Sequence, residues 1–479
     1  MPPEFTLVLE KIVLMKIQLL PILSVSLLLP ILPAAAQQKI VIKPENMKDR
    51  EVSIDPIFES TGLWEQTPET LEAAWKDKGF KWNSEQVKDK GIIRRDNWGF
   101  GKLKITAFGN RNVEEVTFSL KAGKVSEISI AIWNKGDSEN AEITEKTFND
   151  IVDGWSADLS KRIAPTFENK GKDTASAAKA ERRMWIGKET LAQLEYSGGK
   201  EKIRDPYSGR ERTGKNFQGE FIRLRMLTKP NSAIGINTST GGAVNVKRAD
   251  LAKAVVHDPS GDVLIPNVPM VDQGDKGYCA VATAARVFNY YGVPADQHEM
   301  AQVAGADAGS GTNPDEMVDA MKKISGKYRT RFQGLMELDY SSRKYQSFMR
   351  KYNSAAKKLD KKQLDTDNYI YFVGGLDSEV LREVNGKGPV FDRFMSIVRE
   401  NIDKGVPVMW ALQLGKYPEN GEKARQAGGG HMRLIIGYNL AKNEIIFSDS
   451  WGAGHEKKRM AAPDASAATM GLYLLQPAS

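Results

Sequence analysis

Cys279 is the only cysteine in a chain of 479 residues, and no other single feature constrains the fold as much. It leaves no intramolecular disulfide and no Cys-x-x-Cys metal knuckle. Every folded segment must therefore be held by its own buried apolar surface and hydrogen bonds. The material for this is present: 41% hydrophobic and 27% charged residues describe ordinary globular domains. The length suggests about two to three domains of roughly 100–200 residues. Collagen-like, wholly disordered and multi-span membrane chains are excluded. The net charge of +7 is diffuse; it permits contact with an anionic surface but gives no reason to expect nucleic acid as a partner.

Residues Ile17 to Leu32 are almost wholly apolar; Lys16 precedes them, and Ala34-Ala35-Ala36 and Gln37-Gln38 follow. A basic residue, an apolar run and a small-residue site, in that order, read as a cleaved secretory signal over residues 1–36. Pro21, Pro30 and Pro33 argue against a spanning anchor, and both Met1 and Met15 are available as starts. The expectation is an exported protein, secreted or periplasmic, with no membrane span after cleavage. Its lone thiol would meet an oxidising compartment.

Hydropathy patterning divides the remainder. Residues 37–60 are polar and without clear period, a linker or arm. Residues 61–230 read as an α+β domain of unknown role: helices over Thr70–Lys78 and Thr147–Ile163, and strands over Leu103–Phe108, Val113–Leu120, Val125–Trp133, Arg183–Tyr196 and Glu220–Leu227. The first three strands read as antiparallel, and Lys200–Gly214 as the loop joining the last two. Residues 231–245, rich in Gly, Ser, Thr and Asn, form the boundary. Residues 246–479 are then a second domain, with a very basic, helical insertion at Arg343–Lys362 that reads as a solvated face.

The chemistry concentrates in the second domain. In VPMVDQGDKGYCAVATAARVFNYYG (Val268–Gly292), Gly274 and Gly277 prevent a helix before Cys279, and Cys279–Tyr291 is a good helix after it. Cys279 thus sits at a helix N-terminus, where unpaired N–H groups and the positive dipole end favour a thiolate. Gln273, six residues earlier across a loop, can reach back and, with the Cys279 backbone N–H, donate to an oxyanion. A thiolate nucleophile needs a base, and the base an orienting group. Of the four histidines, His257 lies near the domain boundary, His298 sits in HEMAQ, which fails the HExxH zinc pattern, and His455 follows a Gly-rich turn. His431 follows Gly428-Gly429-Gly430 and opens a strand. The next strand, Glu444–Ser448, ends at Asp449-Ser450-Trp451-Gly452, so a hairpin brings Asp449 towards His431. Asp449 is expected to accept from the imidazole Nδ1–H, leaving the other ring nitrogen for the thiol, with Trp451 shielding that bond.

In this order, Gln273, Cys279, His431 and Asp449 resemble the papain-like cysteine peptidase superfamily. Asp449-Ser450-Trp451-Gly452 resembles that family's Asn-Ser-Trp-Gly, and Val268–Gly292 is similar to the bacterial double-glycine leader peptidases and their secreted relatives, which carry Asp as third member. The resemblance covers about Val263 to the C-terminus and implies an α+β fold of two lobes. A helical lobe would begin with the Cys279 helix, and an antiparallel β lobe would contain Val406–Leu414, His431–Tyr438, Glu444–Ser448 and Met470–Leu475. Cys279 and His431 would face each other across the cleft. It also implies acyl transfer on a peptide or protein substrate: Cys279 attacks an amide carbonyl, Gln273 stabilises the oxyanion, and His431 protonates the leaving amine and then activates water. Ala280 stands where papain has Trp, papain's disulfides are absent, and residues 326–389 have no counterpart. No cofactor and no metal are expected. A non-catalytic or autoinhibited binding protein on the same fold, and a transamidase or acyltransferase, remain as alternatives. The first domain could position substrate, dock to a surface, or block the cleft as a pro-region.

Overall fold

The computed structural model describes most of residues 49–477. Outside the description lie 1–48, 97–101, 137–141, 164–168, 174–179, 205–210, 230–245, most of 305–329, 338–342, 366–374, 424–428 and a few single positions. The signal segment and the 231–245 boundary fall there.

Alternating residues build the first region. Its described residues form an eight-stranded antiparallel sheet of β1 (Lys81–Trp82), β2 (Lys90–Arg94), β3 (Glu115–Lys121), β4 (Lys124–Asn134), β5 (Asn169–Asp173), β6 (Ala180–Ile186), β7 (Thr190–Arg204) and β8 (Glu211–Thr228). The spatial order is β1-β2-β3-β4-β8-β7-β6-β5. Helix α1 (Pro68–Trp75) starts at Thr67, whose side chain and that of Thr70 cap each other's backbone N–H, a capping box worth about 1 kcal/mol. Helix α2 (Glu145–Arg162) buries Phe148, Val152, Trp155 and Leu159, one stripe at helical spacing. Each such fully buried side chain contributes about 1.5–3 kcal/mol.

Three expectations change here. Residues from 49 onward are not an arm: Arg50–Ser53 is a strand, and Val52, Ile54 and Ile57 are buried in the first core. Leu103–Ala107 leaves the antiparallel set and pairs parallel with Arg50–Ser53 in a separate three-stranded sheet. Within Lys200–Gly214, the described residues 200–204 and 211–214 are strand, with Lys202 opposite Thr213 and Arg204 opposite Glu211, so the hairpin arms run further than the charge-rich composition suggested. Long polar strands of this kind carry no inward apolar alternation, which is the signal used to find strands.

The second region mixes helices with a mainly antiparallel sheet. Strands β9 (Val256–His257), β10 (Asp262–Leu264), β11 (Thr330–Glu337), β12 (Val408–Gln413), β13 (Gly430–Asn439), β14 (Glu444–Ser448), β15 (Lys458–Ala461) and β16 (Thr469–Pro477) pair in the order β9-β10-β13-β12-β16-β11, with β14 joining β13 to β15. Helices α3 (Cys279–Tyr290), α4 (Gln297–Ala304), α5 (Arg343–Lys358), α6 (Ser378–Asn385), α7 (Gly388–Ile402) and α8 (Ala462–Ala468) accompany it. Phe288, Phe394, Trp410 and Phe447 anchor its core. The basic helix α5 packs through Met349, Tyr352, Ala355 and Ala356 and leaves Lys351, Lys357 and Lys358 exposed. The fold is α+β throughout.

Residues 49–479 form one compact unit, and the two regions meet through ion pairs and hydrogen bonds. Arg223 on β8, buried, bonds Glu195 on β7 and reaches Asp296 at 2.9 Å and Glu299 at 2.6 Å on and beside α4. Burial pushes the Glu299 carboxyl up against the pull of Arg223.

Candidate active site

The register of one hairpin assembles most of the site. β13 pairs with β14 so that Leu434 faces Ser448. One step further along the ladder brings Asp449 beside Arg433, and His431, two residues before Arg433, shares its face of the strand. The His431 Nε2 lies 2.7 Å from Asp449 Oδ1. Asp449 Oδ2 accepts from Arg433 Nε at 2.6 Å, and Ser450 N–H donates to Oδ1 at 2.8 Å. The carboxylate therefore holds Nε2 and not the Nδ1 expected from the sequence, which leaves Nδ1 as the ring nitrogen for the thiol. The reason is local: Arg433 and the Ser450 N–H hold the Asp449 carboxylate where the distal ring nitrogen meets it.

Helix α3 supplies the sulfur. Thr283, one turn after Cys279, donates its hydroxyl to Met432 O at 3.2 Å, immediately after His431. This contact between i+4 on the helix and i+1 on the strand closes Cys279 on His431, near enough that each shifts the other's titration. Cys279 is half-buried and His431 is 7% exposed. Burial opposes a thiolate, yet the Cys279 thiol is lowered because His431 and the backbone N–H groups of Met432 and Ala280 favour the anion. Burial likewise opposes the imidazolium, but the Asp449 carboxylate and the Cys279 sulfur raise His431 from 6.5 to about 9. Asp449 resists its own burial because His431 and Arg433 hold it well below the usual carboxylate range. The directions agree: the arrangement favours a thiolate–imidazolium pair backed by a carboxylate.

Trp451 stacks on His431 with ring centroids 4.8 Å apart and 23° between planes, as expected for a cover over the His–Asp bond. Gln273 is buried, and its backbone N–H donates to Ser450 O at 2.8 Å. That bond sets it beside the residue following Asp449. Cys279, His431, Asp449 and Gln273 are thus brought into one neighbourhood. The other three histidines lie elsewhere or play other parts: His257 is exposed on β9, His298 bonds Asn134, and His455 carries the carbonyl that accepts from Asp449 N–H. Among the described residues, no cluster of His, Cys, Asp and Glu could hold a metal.

Two arginines escaped the sequence reading. Arg433 is fully buried, shares Asp449 with His431, bonds Glu419 at 2.7 Å, and lies over Phe447 and Trp451. Its i+2 spacing from His431 on a strand was the available signal. Arg286, at helical spacing from Cys279, donates to Pro269 O at 2.9 Å, Asp449 O at 2.9 Å and Ser448 Oγ. It ties the Cys279 helix to the strand end that carries the carboxylate. Arg286→Met fits the space but leaves three buried acceptors unmatched, so we expect about 3 kcal/mol of lost stability. A lowered urea midpoint at unchanged slope checks this.

Residues 265–471 match the model of the Peptidase_C39 like family. The C-terminal part of this chain is a papain-like C39 cysteine peptidase domain. All the site residues above fall within the matched span of this C39-like domain. Among solved structures, the peptidase domain of Streptococcus ComA, a bi-functional ABC transporter involved in a quorum sensing pathway, is 14% identical with a TM-score of 0.23. That match covers 44% of this chain and 99% of the other. No curated protein matches the chain.

Proposed function

We propose that the protein is an exported thiol-dependent peptidase or amide hydrolase with Cys279 as nucleophile, His431 as acid and base, and Asp449 orienting the ring. The His431–Asp449 hydrogen bond at 2.7 Å, with the Cys279 sulfur close enough to His431 for the two to shift each other's titration, is the observation that carries this reading. In it, Cys279 Sγ bonds the carbonyl carbon of a peptide, and the Gln273 amide with the Cys279 N–H receives the oxyanion. The His431 proton passes to the leaving amine, and the thioester then yields to a water deprotonated by the same ring. Export rests on the order Lys16, Ile17–Leu32, Ala34–Ala36. The exposed lysines of α5 are the candidate contact for an anionic surface.

The test is iodoacetamide labelling of Cys279 across pH 4–9. A thiolate held by an imidazolium labels well below the ordinary thiol range near pH 8.5, and the acidic labelling vanishes in His431→Ala. Turnover of labelled casein should fall as pH rises through about 9, where His431 loses its proton. Labelling in the wild type that follows an ordinary thiol would refute the ion pair. Incorporation of a labelled amine in place of water would convert the assignment from hydrolase to transamidase.

A further inference from the structure

The segment from Asp272 to Cys279 carries both the proposed oxyanion donor and the nucleophile, yet the first region grips it at both ends. At one end Arg94 on β2 donates from Nη1 to Asp272 Oδ2 and from Nη2 to Asp272 O, each at 3.0 Å, while its Nε donates to Glu115 at 2.8 Å. Gln273 is the next residue. Asp272 Oδ1 accepts from Gly274 N–H at 2.8 Å, so the carboxylate turns the loop and receives the guanidinium together. Gly274 has φ +65°, and a Cβ there would come within 2.9 Å of the Arg94 guanidinium. Glycine is thus required both by the backbone and by the approach of Arg94.

At the other end Tyr278, immediately before Cys279, donates its hydroxyl to Asn134 Oδ1 at 3.0 Å. Asn134, the last residue of β4, is itself fixed: its Oδ1 also accepts from Gly136 N–H, and its Nδ2 lies 2.7 Å from His298 Nδ1. A Cβ on Gly136 would fall 2.1 Å from the Tyr278 hydroxyl. Beside Asp272 the two regions line a half-open cleft of about 150 Å³, with Thr117, Arg225, Met270, Val271 and Gln297 among its walls. Beside this cleft, directed bonds supplement close packing in fixing the loop.

We propose, resting on the peptidase reading above, that the N-terminal sheet is a working part of the catalytic unit. Arg94 and Asn134 are positioning residues that hold Gln273 and the start of α3 where an oxyanion forms. Oxyanion stabilisation depends on sub-ångström placement, and misplacement by about 1 Å can cost roughly 10²-fold in rate. Thiolate formation depends instead mainly on His431 and the Met432 N–H of β13, which these clamps do not touch, with a smaller share from the Ala280 N–H. The clamps also favour a supporting role for the first region over that of a detachable pro-region.

That separation supplies the test, done on the full chain. Arg94→Met should lower kcat on labelled casein by about 10- to 100-fold with little change in KM. The pH profile of iodoacetamide labelling should match the wild type, because alkylation uses no oxyanion site. Arg94→Lys, which keeps charge but cannot span both Asp272 atoms, should recover only part of the loss. Hydrogen exchange of the 268–280 amides should quicken in Arg94→Met while that of 281–290 stays constant. Wild-type kcat with unchanged exchange overturns the proposal, as does a parallel fall of kcat, labelling and thermal midpoint. Should Arg94→Met fail to fold, Tyr278→Phe decides by the same readouts: lower kcat at unchanged labelling sustains the proposal, and wild-type kcat and exchange overturn it. Exchange reports the clamp whether or not casein is cut. The peptidase reading fails separately, when the wild type neither turns over nor labels at acidic pH.

Discussion

Cys279→Ala should reduce turnover of labelled casein by roughly 10⁴- to 10⁶-fold, the scale seen when a nucleophile that works as part of a unit is removed. The fold should survive, because the helix start keeps Tyr278 and Thr283, whose bonds to Asn134 and Met432 do not involve the sulfur. The informative consequence is at His431. Its raised value of about 9 draws on the Cys279 sulfur as well as on Asp449, so deleting the sulfur must lower it. With four histidines in the chain, the titration can be followed by NMR. An unchanged His431 titration in Cys279→Ala would mean that thiol and imidazole are not electrostatically coupled, and the proposed mechanism would lose its central pair.

Asp449→Asn should be almost as damaging, although Asn occupies this place in the papain pattern that Asp449-Ser450-Trp451-Gly452 resembles. The reason is Arg433. Asp449 accepts on one oxygen from His431 and Ser450 N–H, and on the other from Arg433. An amide has one accepting end, so either orientation of Asn sets an NH₂ against a donor. The variant leaves a buried guanidinium half-compensated, a loss of about 3 kcal/mol in stability. It also withdraws the charge that raises His431, for an activity loss on the order of 10³-fold or more. The signs are definite. His431 moves down from about 9, so the alkaline limit of activity shifts to lower pH. The depressed Asp449 carboxyl stabilises the wild type above the usual carboxylate range and loses that contribution as pH falls through its folded value; Asp449→Asn should show a flatter acid unfolding curve. An Asn variant with wild-type urea midpoint and activity within tenfold would show that Arg433 and His431 do not depend on one shared carboxylate.

Much of the site could be read along the chain because its members sit at punctuated places. Gly274 and Gly277 end in a helix start at Cys279, a glycine run ends in a strand at His431, and a short hairpin ends at Asp449. Local rules suffice to place each one. Strands β12, β13, β14 and β16 and helix α3 follow the same periodicities, and their ends fall within two residues of those expected, whereas β9, β10, β11 and β15 were not anticipated. The reading failed where the local signal was silent. Polar hairpin arms such as Lys200–Arg204 have no apolar face to alternate, and Arg50–Ser53 is short and finds its partner some fifty residues away.

By itself, the sequence determined which chemistry was available: one sulfur, few imidazoles, and the turns that deliver them to the ends of regular elements. Only the tertiary structure decided which ring nitrogen meets the carboxylate, that Arg433 and Arg286 converge on Asp449, and that Arg94 and Asn134 reach the loop before Cys279 from more than a hundred positions upstream. Turn and helix preferences act over a few neighbours, so they are written in consecutive residues. A buried charge instead takes whatever partner the packed chain brings within about 3 Å, and no spacing along the chain encodes that.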